Sequence, residues 1–201
     1  MGCILFKMSN TNTDTNTDTN TGTEMDEKKI LEELKKCTWK NTKKFTFAGQ
    51  VLLCKVIKVY DGDTITVAAP VNGGFSRFSV RMDGYDTPEI KPKKGTPEEK
   101  AEEKKWGIRA RDFLSDMIME KIITLNCKDY DKYGRILGDV IFDGKNINYI
   151  MIKDGYSRLY DGGHKDTWDF TQFEKKWKAQ QNLKKKLQKQ LKKEQLEKEN
   201  Q

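Results

Sequence analysis

Histidine is nearly absent from this chain: His164 is the only one in 201 residues. The four cysteines, Cys3, Cys37, Cys54 and Cys127, are scattered and form no CxxC pair, so the nitrogen and sulfur ligands of a zinc site are not there. The same scarcity leaves Ser-His-Asp and Cys-His catalysis without support, because His164 stands in a Gly-Gly-His-Lys loop with no partner motif. The cysteines read as reduced thiols of an intracellular protein. No stretch approaches the roughly 18 consecutive apolar residues of a membrane span, and residues 1–7 are too short for a secretory apolar core, so neither membrane crossing nor export is expected. Charge is also less informative than its total suggests. The net charge is +7, but residues 170–201 hold ten Lys against four Glu, which leaves only +1 to the first 169 residues. An excess confined to a tail is more often a solvated helix face than a binding site.

Hydrophobic residues make up 35% of the chain and charged residues 34%, a polar balance that places part of the length outside any core. The N-terminal stretch fits that description. Residues 9–23 alternate Asn, Thr and Asp with no apolar side chain to offset the entropy of ordering, so residues 1–24 are expected to be disordered. Ahead of them, Met1-Gly2-Cys3 offers myristate on Gly2 and palmitate on Cys3, although Phe6 stands where that motif carries Ser or Thr; the other reading is an unmodified terminus. Residues 25–48 are expected to form a short helix and a linker, with Ile30, Leu31 and Leu34 on one helical face.

The rest has the pattern of a folded domain. VLLCKVIKV at 51–59 reads as a strand, Asp61-Gly62 as a turn, and TITVAA at 64–69 as a second strand. In FSRFSVRM at 75–82, Phe78 and Val80 alternate with polar neighbours and Arg81 faces the other way. Thr96-Pro97-Glu98-Glu99 combines a capping hydroxyl, a proline at the first helical position and a glutamate that closes a capping box; the helix should run to about Met119. Two more strands follow at 122–127 and 136–142, then a helical stretch at 146–153 ended by Gly155. Five short strands with a helix between the third and fourth have the order of an OB-fold β-barrel, which makes the chain α+β with about three helices. Phe173 and Trp177 can dock a last helix whose Leu183, Leu187 and Leu191 continue among Lys and Gln. The folded domain is therefore expected at 49–177 and a basic helical tail at 178–201.

Three islands stand at expected strand ends: Asp61-Gly62-Asp63-Thr64, then Arg81 with Asp86-Thr87-Pro88-Glu89, and Asp131-Lys132-Tyr133-Gly134-Arg135. Each alone is an ordinary turn or charged loop. Two carboxylates suffice to hold a divalent ion against a phosphate oxygen, and a guanidinium offers paired donors that never lose their proton. In combination and in this order, with the Pro92-Lys93-Lys94-Gly95 loop, the islands resemble the staphylococcal nuclease (thermonuclease) family from about residue 51 to 160.

The resemblance implies a calcium-dependent nuclease acting on DNA, RNA or both with low sequence specificity. It assigns Asp63, Asp86 and the Thr87 carbonyl to Ca2+, an all-oxygen set suited to a hard cation, with Asp61 supporting them. Glu89 becomes the general base, and Arg81 and Arg135 grip the reacting phosphate. Lys132 and Tyr133 would contact a neighbouring phosphate, Tyr160 would lie against the nucleotide, and Lys93 and Lys94 would sit on a mobile loop beside the cleft. The alternative is a nucleic-acid- or protein-binding module of the same fold without catalysis, which the joint presence of Arg81, Glu89 and Arg135 disfavours. A cytoplasmic monomer is expected, or a lipid-anchored one if the N-terminus is acylated.

Overall fold

The computed structural model describes residues 27–163, 165 and 167–199. The segment expected to be disordered, the Gly2 and Cys3 acylation signal and His164 lie outside them. The chain forms two compact units, residues 1–44 and 45–201. In the first, helix α1 (Glu27–Lys35) has no buried residue, and Ile30, Leu31 and Leu34 remain exposed.

The second unit holds strands β1 (Val51–Val59), β2 (Thr64–Val71) and β3 (Gly74–Met82), the two-residue β4 (Tyr85–Asp86), helix α2 (Pro97–Ile118), and strands β5 (Ile122–Tyr130) and β6 (Ile136–Phe142). After them come β7 (Lys145–Asn146), α3 (Ile147–Lys153), β8 (Arg158–Leu159) and α4 (Phe170–Glu199). The five long strands are the five read from the sequence. They pair in the order β3-β2-β1-β5-β6, and a parallel pairing of β3 with β6 closes the sheet on itself, so the expected barrel is present. Closure removes the exposed sheet edge that an open five-stranded sheet would carry. The β2–β3 hairpin turns on Asn72 and Gly73, both at positive φ, the pair favoured by a two-residue turn that matches strand twist.

Inward side chains of every long strand fill the barrel, among them Val56, Ile65, Val67, Val80, Leu125 and Val140, and α2 covers it with Ala110, Leu114 and Ile118. The start of α2 is as read: the Thr96 hydroxyl accepts from the Glu99 amide at 3.2 Å and the Glu99 carboxylate accepts from the Thr96 amide at 2.8 Å. The core reaches upstream of residue 49, since Phe47 is buried edge-on against Phe78. Helix α4 is one continuous helix across 177 and 178, where a boundary between domain and tail was expected. Its first turns are anchored by the Arg109 guanidinium, which lies between the rings of Trp106 (4.5 Å) and Trp177 (4.1 Å), and by Gln180, which donates to the Asp154 carbonyl at 2.7 Å. Among the described residues no helix is long and apolar enough to cross a membrane.

Candidate active site

The turn between β1 and β2 sets the first carboxylate. Gly62 lies so close to α2 and to Thr87 that a Cβ there would stand 2.7 Å from the Ala110 Cβ and 2.8 Å from the Thr87 Cγ2. Only glycine lets the turn settle that deeply, and it brings Asp63 into the interior at the start of β2. Asp61 accepts from the Asp63 amide at 3.2 Å, the short-range bond that lets an aspartate shape a turn. On the neighbouring strand Arg81 stands opposite Thr64 in register, at the buried end of β3.

Arg81 is buried, with 8% of its surface exposed, and does not face solvent as an ordinary strand arginine would. Its Nη2 lies 3.0 Å from Asp63 Oδ2 and 3.4 Å from Asp86 Oδ1, while Nη1 donates to the Met82 carbonyl at 2.8 Å. Asp86, on β4, is 1% exposed and carries two further cations: Arg158 Nη2 at 3.2 Å and Lys165 Nζ at 2.8 Å. A buried carboxylate needs such partners, since unpaired it would lose its hydration without return. The Thr87 amide donates to Asp63 Oδ2 at 3.2 Å, which ties the second island to the first.

Arg135 arrives on the turn into β6, the strand that pairs with β3. Asp131 holds it through Nε at 2.6 Å and accepts from its amide at 2.9 Å. The guanidinium then reaches over so that Nη1 donates to the Thr64 hydroxyl at 3.2 Å, and that hydroxyl donates to Asp63 Oδ1 at 2.9 Å. The closing β3–β6 pairing makes this possible, because Arg81 registers with Leu137, two residues past Arg135. Both arginines thus converge on one carboxylate, one directly and one through Thr64.

Glu89 is exposed beside this cluster, with Lys165 Nζ 3.5 Å from its Oε1 and its amide donating to Glu103 at 3.1 Å. Its backbone rests on α2 at Gly107, where a Cβ would meet the Pro88 carbonyl oxygen at 2.7 Å and the Glu89 carbonyl carbon at 2.8 Å. Asp86 and Glu89 open on a cleft of about 730 Å³ walled by Lys91, Lys93, Lys94, Arg158, Trp168 and the first turn of α4. Burial, followed by the neighbouring Asp63 and, more weakly, Glu89, pushes the Asp61 carboxyl up to about 7.

The donor set is all oxygen, two buried carboxylates with a third close by, which fits a hard divalent cation and does not fit zinc or copper. Among the described residues no three Asp, Glu, His or Cys side chains converge as a ready-made cage, so Asp63 and Asp86 are the carboxylates on offer.

Sequence reasoning placed Arg81, Asp63, Asp86, Thr87, Glu89, Arg135 and Asp61 together, and these contacts link them. Lys93 and Lys94 line the cleft. Lys132 and Tyr133 lie exposed on the Asp131 turn, with Arg135 set 5.5 Å from the Tyr133 ring centroid. Tyr160 is half-buried past β8, donating its hydroxyl to the Gly163 carbonyl at 2.9 Å, with the Lys165 ammonium 5.6 Å from its ring. Thr64, Asp131, Arg158 and Lys165 were not foreseen as site residues. Thr64 and Asp131 belong to the islands and could have been found there, whereas nothing local marks Arg158 or Lys165.

Comparison with known proteins decides the family: the pattern described as "Staphylococcal nuclease homologue" matches residues 79–193, more than half of the chain. The chain belongs to the staphylococcal nuclease family. The matched range holds Arg81, Asp86, Thr87, Glu89 and Arg135, while Asp61, Asp63 and Thr64 fall before it and stand on the geometry above. Relatives of this chain include an uncharacterised endonuclease of Haemophilus influenzae, 31% identical over 107 residues, covering 53% of this chain and 52% of the relative. Endonuclease YhcR of Bacillus subtilis is 35% identical over 111 residues, covering 52% of this chain and 9% of that protein. A micrococcal nuclease of Shigella flexneri is 32% identical over 115 residues, with coverage of 53% and 57%. The chain spans about half the length of the first and third of these relatives.

Proposed function

We propose that the protein is a calcium-dependent nuclease that hydrolyses phosphodiester bonds of DNA or RNA with little regard to sequence. The observation that carries this reading is the unbroken run of contacts Arg81–Asp63–Thr64–Arg135, which points two guanidiniums, one directly and one through Thr64, at the same buried carboxylate. Two such groups grip one phosphate and offset the charge that grows on its oxygens as the bond to the leaving group lengthens. Asp63 and Asp86, with the Thr87 carbonyl, would hold a calcium ion, whose charge when bound polarises the phosphodiester. Glu89, exposed at the cleft, accepts the proton of the attacking water on a carboxylate oxygen, so that hydroxide character develops on the water as it approaches phosphorus. Lys93, Lys94, Lys132 and Tyr133 contact neighbouring phosphates, and Tyr160 lies against the nucleotide. All of these groups address backbone or ring faces and none reads a base edge, hence the low specificity.

The test is direct. Purified protein is incubated with single-stranded DNA and calcium, then with excess chelator. Cleavage that needs calcium and stops with chelator is expected. A folded protein that is inert with calcium and with other divalent ions defeats the reading and leaves a binding module in its place.

A further inference from the structure

Helix α4 begins at the cleft, where Phe170, Thr171 and Glu174 form part of the wall beside Asp86 and Glu89, and continues to Glu199. Along its exposed side it carries a pattern that packing does not explain. Lys175, Lys178, Asn182, Lys185, Lys189 and Lys192 follow one another at alternating steps of three and four, and all are exposed. At about 100° per residue that spacing keeps them within one sector roughly 100° wide over about 26 Å of helix. The packed side of the helix, marked by Phe173, Trp177 and Gln180, faces elsewhere, and so do the exposed Leu183, Leu187 and Leu191. The only acidic residue at the start of this stripe is Glu174, paired with Lys178 at 3.3 Å.

We propose that this lysine stripe is a docking track for the phosphate backbone of single-stranded nucleic acid, running outward from the cleft. The inference rests on the nuclease reading for its choice of polyanion. Three features support it. The charge complements a phosphate chain: residues 170–201 carry +6 against +1 for residues 1–169, so most of the net positive charge sits on this helix and the segment around it. The lysines form a line, as a linear polyanion requires, where a compact anion would need a cluster. The leucines lie on the opposite face of the helix from the line, so the line itself presents only polar and charged side chains. A strand held at the cleft therefore meets further cations as it leaves, and long substrates bind more tightly than short ones without added sequence preference.

The experiment compares the full chain with a triple Lys185→Gln, Lys189→Gln, Lys192→Gln variant, whose substitutions keep good helix formers in place. A labelled single-stranded DNA roughly 30 nucleotides long, well beyond the length of the stripe, is titrated in chelator, where calcium-dependent cleavage cannot interfere, between about 50 and 200 mM salt. Loss of three contacts should flatten the slope of log affinity against log salt by about 2. With calcium, kcat/KM on a dinucleotide, too short to leave the cleft, should be unchanged. A Leu183→Gln, Leu187→Gln variant should bind DNA like the parent chain. An unchanged salt slope overturns the proposal, and so does DNA binding indifferent to the lysines with binding to phosphatidylserine vesicles that depends on them. Lysine-dependent DNA binding without cleavage of any substrate leaves the track standing and defeats the nuclease reading instead.

Discussion

The two walls of the site are built on different terms. The inner wall, Asp63, Arg81 and Asp86, is buried at strand ends, and each of its charged groups has more than one partner. The outer wall, Glu89 with the 91–95 loop, is exposed and touches the inner wall chiefly through the half-exposed Lys165. The inner wall is a consequence of barrel closure and of glycines that allow backbone to meet helix, so its geometry exists before any substrate arrives. The outer wall rests on few contacts and is free to adjust to a strand. On the proposed reading, preorganised charge where the reaction centre sits, and adaptable charge where the strand enters, is the arrangement expected of a site that treats every phosphodiester alike.

Arg81→Met should separate the walls most sharply. Two buried carboxylates would lose their shared cation, and breaking a buried pair costs about 3–5 kcal/mol, so urea denaturation in chelator should show a loss of that order together with abolished cleavage. Unchanged stability would mean that the inner wall is not held by its charges. Glu89→Gln should do the reverse, lowering kcat by about 10²- to 10⁴-fold while the unfolding free energy from urea denaturation changes by less than about 0.5 kcal/mol, because the side chain is exposed. Gly107→Ala is more discriminating. Mid-helix Gly to Ala ordinarily stabilises by up to about 1 kcal/mol, but here the new methyl would press on the Pro88 carbonyl at 2.7 Å. Overpacking of that kind should reverse the sign, to a loss of about 1–2 kcal/mol, with kcat falling more than KM rises as Glu89 is displaced. A stabilised, fully active variant would show that the contact with α2 does not fix Glu89. The smallest effect is expected from Lys165→Met: this half-exposed cation competes for Asp86, so the calcium concentration for half-maximal rate should fall by less than about fivefold.

What was legible beforehand follows the same division. The five long strands show themselves by alternation of residues such as Phe78, Val80 and their neighbours, and α2 by its capping box, because those signals are local. The three islands were legible for the same reason. The roles of Arg158 and Lys165 were not, since β4 meets β8 only in the folded chain, where Asp86 registers with Arg158 across 72 residues of sequence. Gly107 left no trace either: within an amphipathic helix it looks like a minor defect, and only the approach of the 88–89 backbone gives it a purpose. The course of α4 past Trp177, by contrast, was legible, because Leu183, Leu187 and Leu191 keep the helical spacing that Phe173 and Trp177 begin.

The seam between β3 and β6 has a bearing on how such a protein could be made safely. Val80 to Met82 pair with Ile136 to Gly138, and this late, long-range contact is what brings Arg135 to Thr64. A chain still emerging from the ribosome at residue 130 has Asp63, Arg81, Asp86 and Glu89 but only one of the two guanidiniums. On the proposed reading, cutting power switches on only with the stroke that completes the fold, and an unfinished chain among cellular RNA is harmless by construction.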